Sequence, residues 1–136
     1  LNISTAAAIV AASAGAYVAK HGNRSISSQS GSADILEKLG LKLTSDTNKL
    51  EDSLKNKNFC FLFAQFHHSA MKHVINIRKN LETRTIFNLL GPLSSPANVK
   101  RQVTGVFSKK WLKFWSGILG GFLMNNPELE EIKVAY

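Results

Sequence analysis

The chain reads as an α/β protein: a mostly parallel sheet flanked by helices. Three observations predict it. Short apolar segments of strand length alternate with stretches carrying helix caps and helical spacing, the order that places helices over parallel strands. Residues 59–64, Phe-Cys-Phe-Leu-Phe-Ala, are continuously apolar rather than alternating, as in a strand covered on both faces. Between the first such strand and the next helix lies a long polar loop that no core accommodates. Residues 20–34 hold two cations, two glycines and five serines. Burying their unpaired polar groups would cost too much free energy.

The first helix covers residues 6–12, capped by Ser4 or Asn2 and ended by Gly15. Residues 16–19 form a short buried strand that delivers Lys20 to the polar loop. Ser32 opens and caps the second helix, which Gly40 closes. Ser45 caps a third over residues 46–55, whose early acids and later bases suit the helix dipole. After the strand at 59–64, a helix is expected from Ser69 to Leu81, with Met71, Val74, Ile75 and Arg78 at helical spacing. Residues 88–98 hold two of the three prolines and read as loop. A strand at 103–107, a helix at 110–124 and a strand at 132–136 complete the pattern. Trp111 and Trp115 lie one turn apart, a spacing that means packing.

A length of 136 residues is one ordinary domain with room for a real core. Its 44% hydrophobic content argues against wholesale disorder. The longest apolar run is too short to span a bilayer, and no basic segment precedes it as in a signal peptide. The single cysteine, Cys60, excludes an intrachain disulfide, and its neighbours suggest a buried thiol. A reducing, cytoplasmic setting is expected. The net charge of +8 raises a nucleic-acid-binding module as one function class. The cations are scattered, however, without a like-charged block or aromatic stacking pattern, so retention of an anionic substrate explains them better.

The polar loop presents cations, hydroxyls and backbone N–H groups beside a helix N-terminus, a setting that favours phosphate. Together with Asn2-Ile3-Ser4-Thr5, it resembles the phosphoribosyl-diphosphate (PRPP) site of the anthranilate phosphoribosyltransferase family of tryptophan biosynthesis. The resemblance resumes at His68-Ser69-Ala70-Met71-Lys72 and Asn76-Ile77-Arg78-Lys79. It is strongest over Arg84-Thr85-Ile86-Phe87-Asn88-Leu89-Leu90-Gly91-Pro92-Leu93. Pro96-Ala97-Asn98 and Gly105-Val106-Phe107 extend it to about residue 108.

That resemblance implies a nucleoside phosphorylase/phosphoribosyltransferase-like catalytic domain. The expected enzyme is a glycosyltransferase moving phosphoribosyl from PRPP to the amine of anthranilate, with magnesium as cofactor. It implies PRPP-binding roles for Asn2, Ser4, Thr5, Lys20, His21, Gly22, Asn23 and Ser32. Anthranilate falls to Asn23, His68 and Arg78, and one magnesium contact to Ser4. No protein nucleophile is expected, because the family displaces diphosphate directly. An arginine fork suits a carboxylate in a way lysine does not, which singles out Arg78. Each residue also has a plainer reading: an N-cap for Ser4 and Thr5, a solvated cation for Lys20, turn chemistry for Gly22 and Gly31, a structural role for Arg24. Gly22 and Gly31 permit either close approach or positive φ.

The resemblance also implies an internal piece of the catalytic domain, incomplete at both ends. The family's Gly-Thr-Gly-Gly-Asp loop precedes the Asn-Ile-Ser-Thr motif, and its acidic metal pair follows a strand like the last one here. The 136 residues alone are therefore expected to be inactive, and the full-length enzyme to form a homodimer. Ser69 stands where the family has proline, Glu82 where it has glycine, and Gln29 where lysine is common; none removes an expected ligand group. A pyrimidine nucleoside phosphorylase is the related alternative, sharing the fold and the ribose–phosphate logic.

Overall fold

The computed structural model describes residues 2–25, 30–69, 90–106, 108–124 and 131–135. They fall into two compact units, residues 1–97 and 98–136. In the first unit the order is α1 (Ile3–Ser13), β1 (Val18–Gly22), α2 (Ser32–Lys38), α3 (Thr47–Lys57), β2 (Phe59–Phe63) and the single turn α4 (Ala64–His67). A 3-10 turn over Gly91–Ser94 follows. In the second unit β3 (Arg101–Gly105), α5 (Lys110–Met124) and β4 (Glu131–Ala135) make a strand–helix–strand unit, with β3 and β4 parallel.

Strands β1 and β2 pair in parallel, Val18 opposite Phe59 through to Gly22 opposite Phe63. The apolar continuity of β2 has the predicted cause. Phe61 and Phe63 face one side and pack with Ala33 and Leu36 of α2, with Ile9, Leu41 and Leu43 around them. Cys60 and Leu62 face the other and pack with Leu50 of α3, beside Ala19 and Leu54. A strand covered on both faces has no solvent side for polar residues. The Cys60 thiol is buried, and desolvation pushes its pKa up.

Helix ends are set by local chemistry. Both α1 and α2 close in paired backbone bonds around a glycine at positive φ. Gly15 N–H donates to Ala12 and Ala16 N–H to Ala11; Gly40 N–H donates to Glu37 and Leu41 N–H to Leu36. This is the Schellman arrangement that only a residue tolerant of left-handed backbone takes without strain. At the end of α3, Asn58 adopts φ 54°, and its carbonyl takes the Val18 N–H at 2.8 Å, starting β1.

Several boundaries differ from the sequence expectation. The first strand is not residues 16–19 but Val18–Gly22, so Lys20 and His21 are strand residues rather than loop residues. Pairing with β2 decides this, because the ladder begins opposite Phe59 and leaves Tyr17 exposed. Of the two caps the sequence offers for α1, Asn2 is the one used, its Oδ1 accepting the Thr5 N–H at 3.0 Å. Asp46, not Ser45, caps α3, because its carboxylate accepts the Asn48 and Lys49 N–H groups. Gly31, not Ser32, is the N-cap of α2; Ser32 is the first helical residue. The strands in the second unit begin one or two residues earlier than expected. There Trp115 is buried and Trp111 meets Phe114 edge-on, as packing residues.

Candidate functional site

The carboxyl ends of β1 and β2, with the starts of α1 and α2, carry most of the residues singled out in the sequence, and strand ends of this kind are where open parallel sheets hold ligands. Successive residues of a strand point to opposite faces. Lys20 and His21 therefore divide the region into two groups.

On the Lys20 side, three segments distant in sequence converge. Lys20 Nζ donates to Ser4 Oγ at 3.2 Å, and Ser4 Oγ donates to Asn2 Oδ1 at 3.1 Å. The Asn2 amide nitrogen reaches Ser30 O at 3.3 Å and Ser32 Oγ at 3.4 Å, tying the start of α1 to the start of α2. Partial burial lowers the Lys20 pKa, because its charge has lost part of its water. The group thus offers an ammonium, two hydroxyls and an amide beside the N-terminus of the eleven-residue α1. Thr5 is not on this surface: its side chain is buried, and its hydroxyl has no hydrogen-bond partner among the described residues.

On the other side, His21 Nε2 and His68 Nε2 face each other at 3.3 Å with rings nearly perpendicular. Burial lowers the His21 pKa to about 4. The His68 charge adds to this and a hydrogen bond to the Gly91 backbone opposes it, with smaller contributions from His67 and Lys20. His21 is accordingly neutral at pH 7, and one of the two facing nitrogens must carry a proton while the other does not. Burial likewise lowers His67, helped by His68.

Asn23, one residue beyond β1, is held by its oxygen. Asn23 Oδ1 accepts the Arg24 N–H at 2.8 Å and the Gln65 amide at 3.1 Å. Sequence reasoning missed Gln65, although the same rule that marked Lys20, the residue at the carboxyl end of a strand, applies to it.

Arg24 is structural. Its guanidinium donates to Glu37 Oε1 at 2.9 Å and Asp34 Oδ1 at 3.2 Å, and lies 5.6 Å from the centroid of the Phe63 ring. The hydrogen bond to Glu37 does most to raise its pKa. Asp34, which the sequence did not single out, organises the polar loop. Its Oδ2 accepts the Ser25 N–H at 2.9 Å and the Gly31 N–H at 3.1 Å, and these bonds, the Ser25 one first, hold its pKa low.

Neither glycine of the loop needs positive φ; both serve close approach. A Cβ on Gly31 would collide with Ser25 N, and one on Gly22 would sit 2.9 Å from Phe61 Cε2. Arg78 and most of the expected helix at 69–81 lie outside the described residues, as do residues 84–89 of the Arg-Thr block. The site therefore joins Asn2, Ser4, Lys20 and Ser32 in one group and His21, His68 and Asn23 in another, with Gly22 between.

Among the described residues no three His, Cys, Asp or Glu side chains come together as a metal site. Ser4 Oγ, the one expected magnesium contact, has the Lys20 ammonium 3.2 Å away. A cation beside that oxygen repels a second, so these residues do not by themselves form a magnesium site. No described helix is long and apolar enough to cross a membrane.

Residues 1–126 match the glycosyl transferase family, a/b domain. An anthranilate phosphoribosyltransferase of Clostridium kluyveri is 59% identical over 112 residues, 82% of this chain and 33% of the relative. One of Bacillus subtilis is 59% identical over 107 residues, covering 79% of this chain and 32% of that protein. The crystal structure of anthranilate phosphoribosyltransferase from Thermus thermophilus superposes with a TM-score of 0.76 at 48% identity. That alignment covers 88% of this chain and 36% of the other. The chain spans about a third of the length of the curated relatives it matches.

Proposed function

The chain belongs to the glycosyl transferase family, a/b domain, and from that premise we propose that the intact protein transfers phosphoribosyl from PRPP to anthranilate. The observation that carries this reading is the convergence of Asn2, Ser4, Lys20 and Ser32 from three separate segments onto the start of α1. Identity of 48–59% with proteins named for that activity supports it.

In this reading the anthranilate nitrogen bonds to the anomeric carbon as the bond to diphosphate oxygen breaks. The electron pair leaves with diphosphate, and the amine sheds a proton. No protein nucleophile is needed. Lys20, the Ser4 and Ser32 hydroxyls and the Asn2 amide hold phosphate oxygens where negative charge grows, and the dipole of α1 adds to them. Gly22 lets the backbone and ligand approach closely. His68 forms the wall against which the aromatic amine lies, His21 faces it from the PRPP side, and Asn23 donates between ribose and amine. Arg78 takes the anthranilate carboxylate. A magnesium ion accompanying the diphosphate would neutralise its charge, and Ser4 Oγ would meet that ion only by giving up its bond to the Lys20 ammonium. A homodimer in a cytoplasmic setting belongs to the same reading.

The test is to mix the intact protein with PRPP, magnesium and anthranilate. The expected result is loss of anthranilate fluorescence with equal release of diphosphate. Phosphate-dependent cleavage of pyrimidine nucleosides, without anthranilate consumption, would overturn it in favour of a phosphorylase.

A further inference from the structure

We propose that Gln65 is a positioning residue that fixes which way the Asn23 amide faces; this rests on the function proposed above. Asn23 Oδ1 takes the Arg24 backbone N–H at 2.8 Å. A backbone N–H only donates, so the side-chain atom it meets is the oxygen and not the nitrogen. The Gln65 atom 3.1 Å from that same oxygen is then its NH2 group. Two donors occupy the two acceptor directions of Oδ1. The Asn23 NH2 meets no partner among the described residues and is left to donate to substrate.

The backbone explains why position 65 has this task. Gly22 pairs with Phe63 at the end of the ladder, so the residues just beyond β1 lie beside the turn that leaves β2. Gln65 and His68 are three apart on that turn, on one face of it. The first meets Asn23 and the second meets His21. The turn after β2 thus sets two side chains at the end of β1, one through an amide and one through a ring. Donation is what the position requires: a carboxylate there would face Oδ1 with like charge, and a thioether would offer no proton.

The experiment compares wild type, Q65E and Q65M in the intact protein. At pH 7.5, Q65E is expected to lower kcat/KM for anthranilate by about tenfold or more, the scale of one misdirected hydrogen bond. Melting temperature should stay within about 2 °C. The ratio of Q65E to wild-type activity should rise as pH falls toward 5, because the introduced carboxyl, once protonated, can donate to Asn23 Oδ1. Q65M should lose activity with a ratio flat in pH. Independently of turnover, the exchange rate of the Asn23 NH2 protons should change in Q65E, as the introduced carboxylate competes with the Arg24 N–H for the orientation of the amide. Q65E within twofold of wild type, a loss flat in pH and matched by a lower melting temperature, or unaltered Asn23 exchange would overturn the proposal. A wild type inactive on anthranilate would instead sink the functional reading, and the exchange measurement would still decide the role of Gln65.

Discussion

The Nε2 atoms of His21 and His68 oppose each other at 3.3 Å, a geometry that admits one proton between them and not two. His21 is held at a pKa of about 4. Between that value and its ordinary one near 6.5, the unfolded chain binds more protons at this residue than the folded one. Stability from the neutral ring is therefore full above pH 6.5 and is lost as pH falls toward 4. Solvent screening of a half-buried ring keeps the effect to about 1–2 kcal/mol. Denaturation of wild type and His21→Gln at pH 7 and pH 4.5 should show a smaller acid loss in the variant. An equal loss in both proteins would exclude His21 as its source.

Lys20 is the one ammonium in the group at the start of α1. Replacing it by methionine keeps the stem and removes the charge. Affinity for PRPP in calorimetric titration should fall about 10- to 100-fold, the range of one charge-assisted contact. KM for anthranilate should change less than about threefold, because Lys20 and His21 face opposite sides of β1. A change confined to anthranilate would show that the two groups have been assigned to the wrong substrates.

Two glycines separate steric crowding from backbone strain. Gly31 has ordinary backbone angles, φ −81° and ψ 160°, but its Cβ position is filled by Ser25 N and Asp34 Oδ2. Gly40 has open space around it and φ of +91°. Gly31→Ala should cost about 3 kcal/mol or more, because backbone must move. Gly40→Ala should cost only about 1 kcal/mol. Urea midpoints of the two variants, measured side by side, check the order, and a reversed order would mean that the loop repacks freely.

Asp34 accepts two backbone N–H groups and one guanidinium bond, whereas the ion pairs of Arg24 are largely exposed. Asp34→Asn should therefore cost about 1–2 kcal/mol at pH 7, more than Arg24→Ala. The folded-state pKa of Asp34 lies below its ordinary 3.8, so its contribution is present above that value and disappears as pH falls through the depressed one. The gap between wild type and Asp34→Asn should narrow at pH 3. A gap that persists there would assign the stability to hydrogen bonds indifferent to the charge.

Much of this was readable beforehand because it depends on local pattern. The apolar run of β2, the glycine ends of α1 and α2 and the buried thiol of Cys60 follow from composition and spacing alone. What misled was competition among neighbours. Asn2 and Ser4 both suit a cap, as do Ser45 and Asp46, and only hydrogen-bond geometry chooses between them. The start of β1 was set by its partner strand, which sequence patterning of residues 16–19 does not contain. Asp34 and Gln65 carry no distinguishing mark in their local sequence. Their roles depend on residues 9 and 42 positions away, a separation that periodicity does not read.

The ladder between β1 and β2 also acts as a vernier. Its five residue pairs set Lys20 against Phe61 and His21 against Leu62, beyond which Asn23 comes level with the turn bearing Gln65. Because side chains alternate along a strand, slipping by one residue would exchange the faces of Lys20 and His21 and send the ammonium toward the histidines. The apolar teeth of β2, locked into cores on both faces, prevent that slip. Buried phenylalanines therefore determine which side of the sheet presents the Lys20 ammonium and which presents the His21 ring.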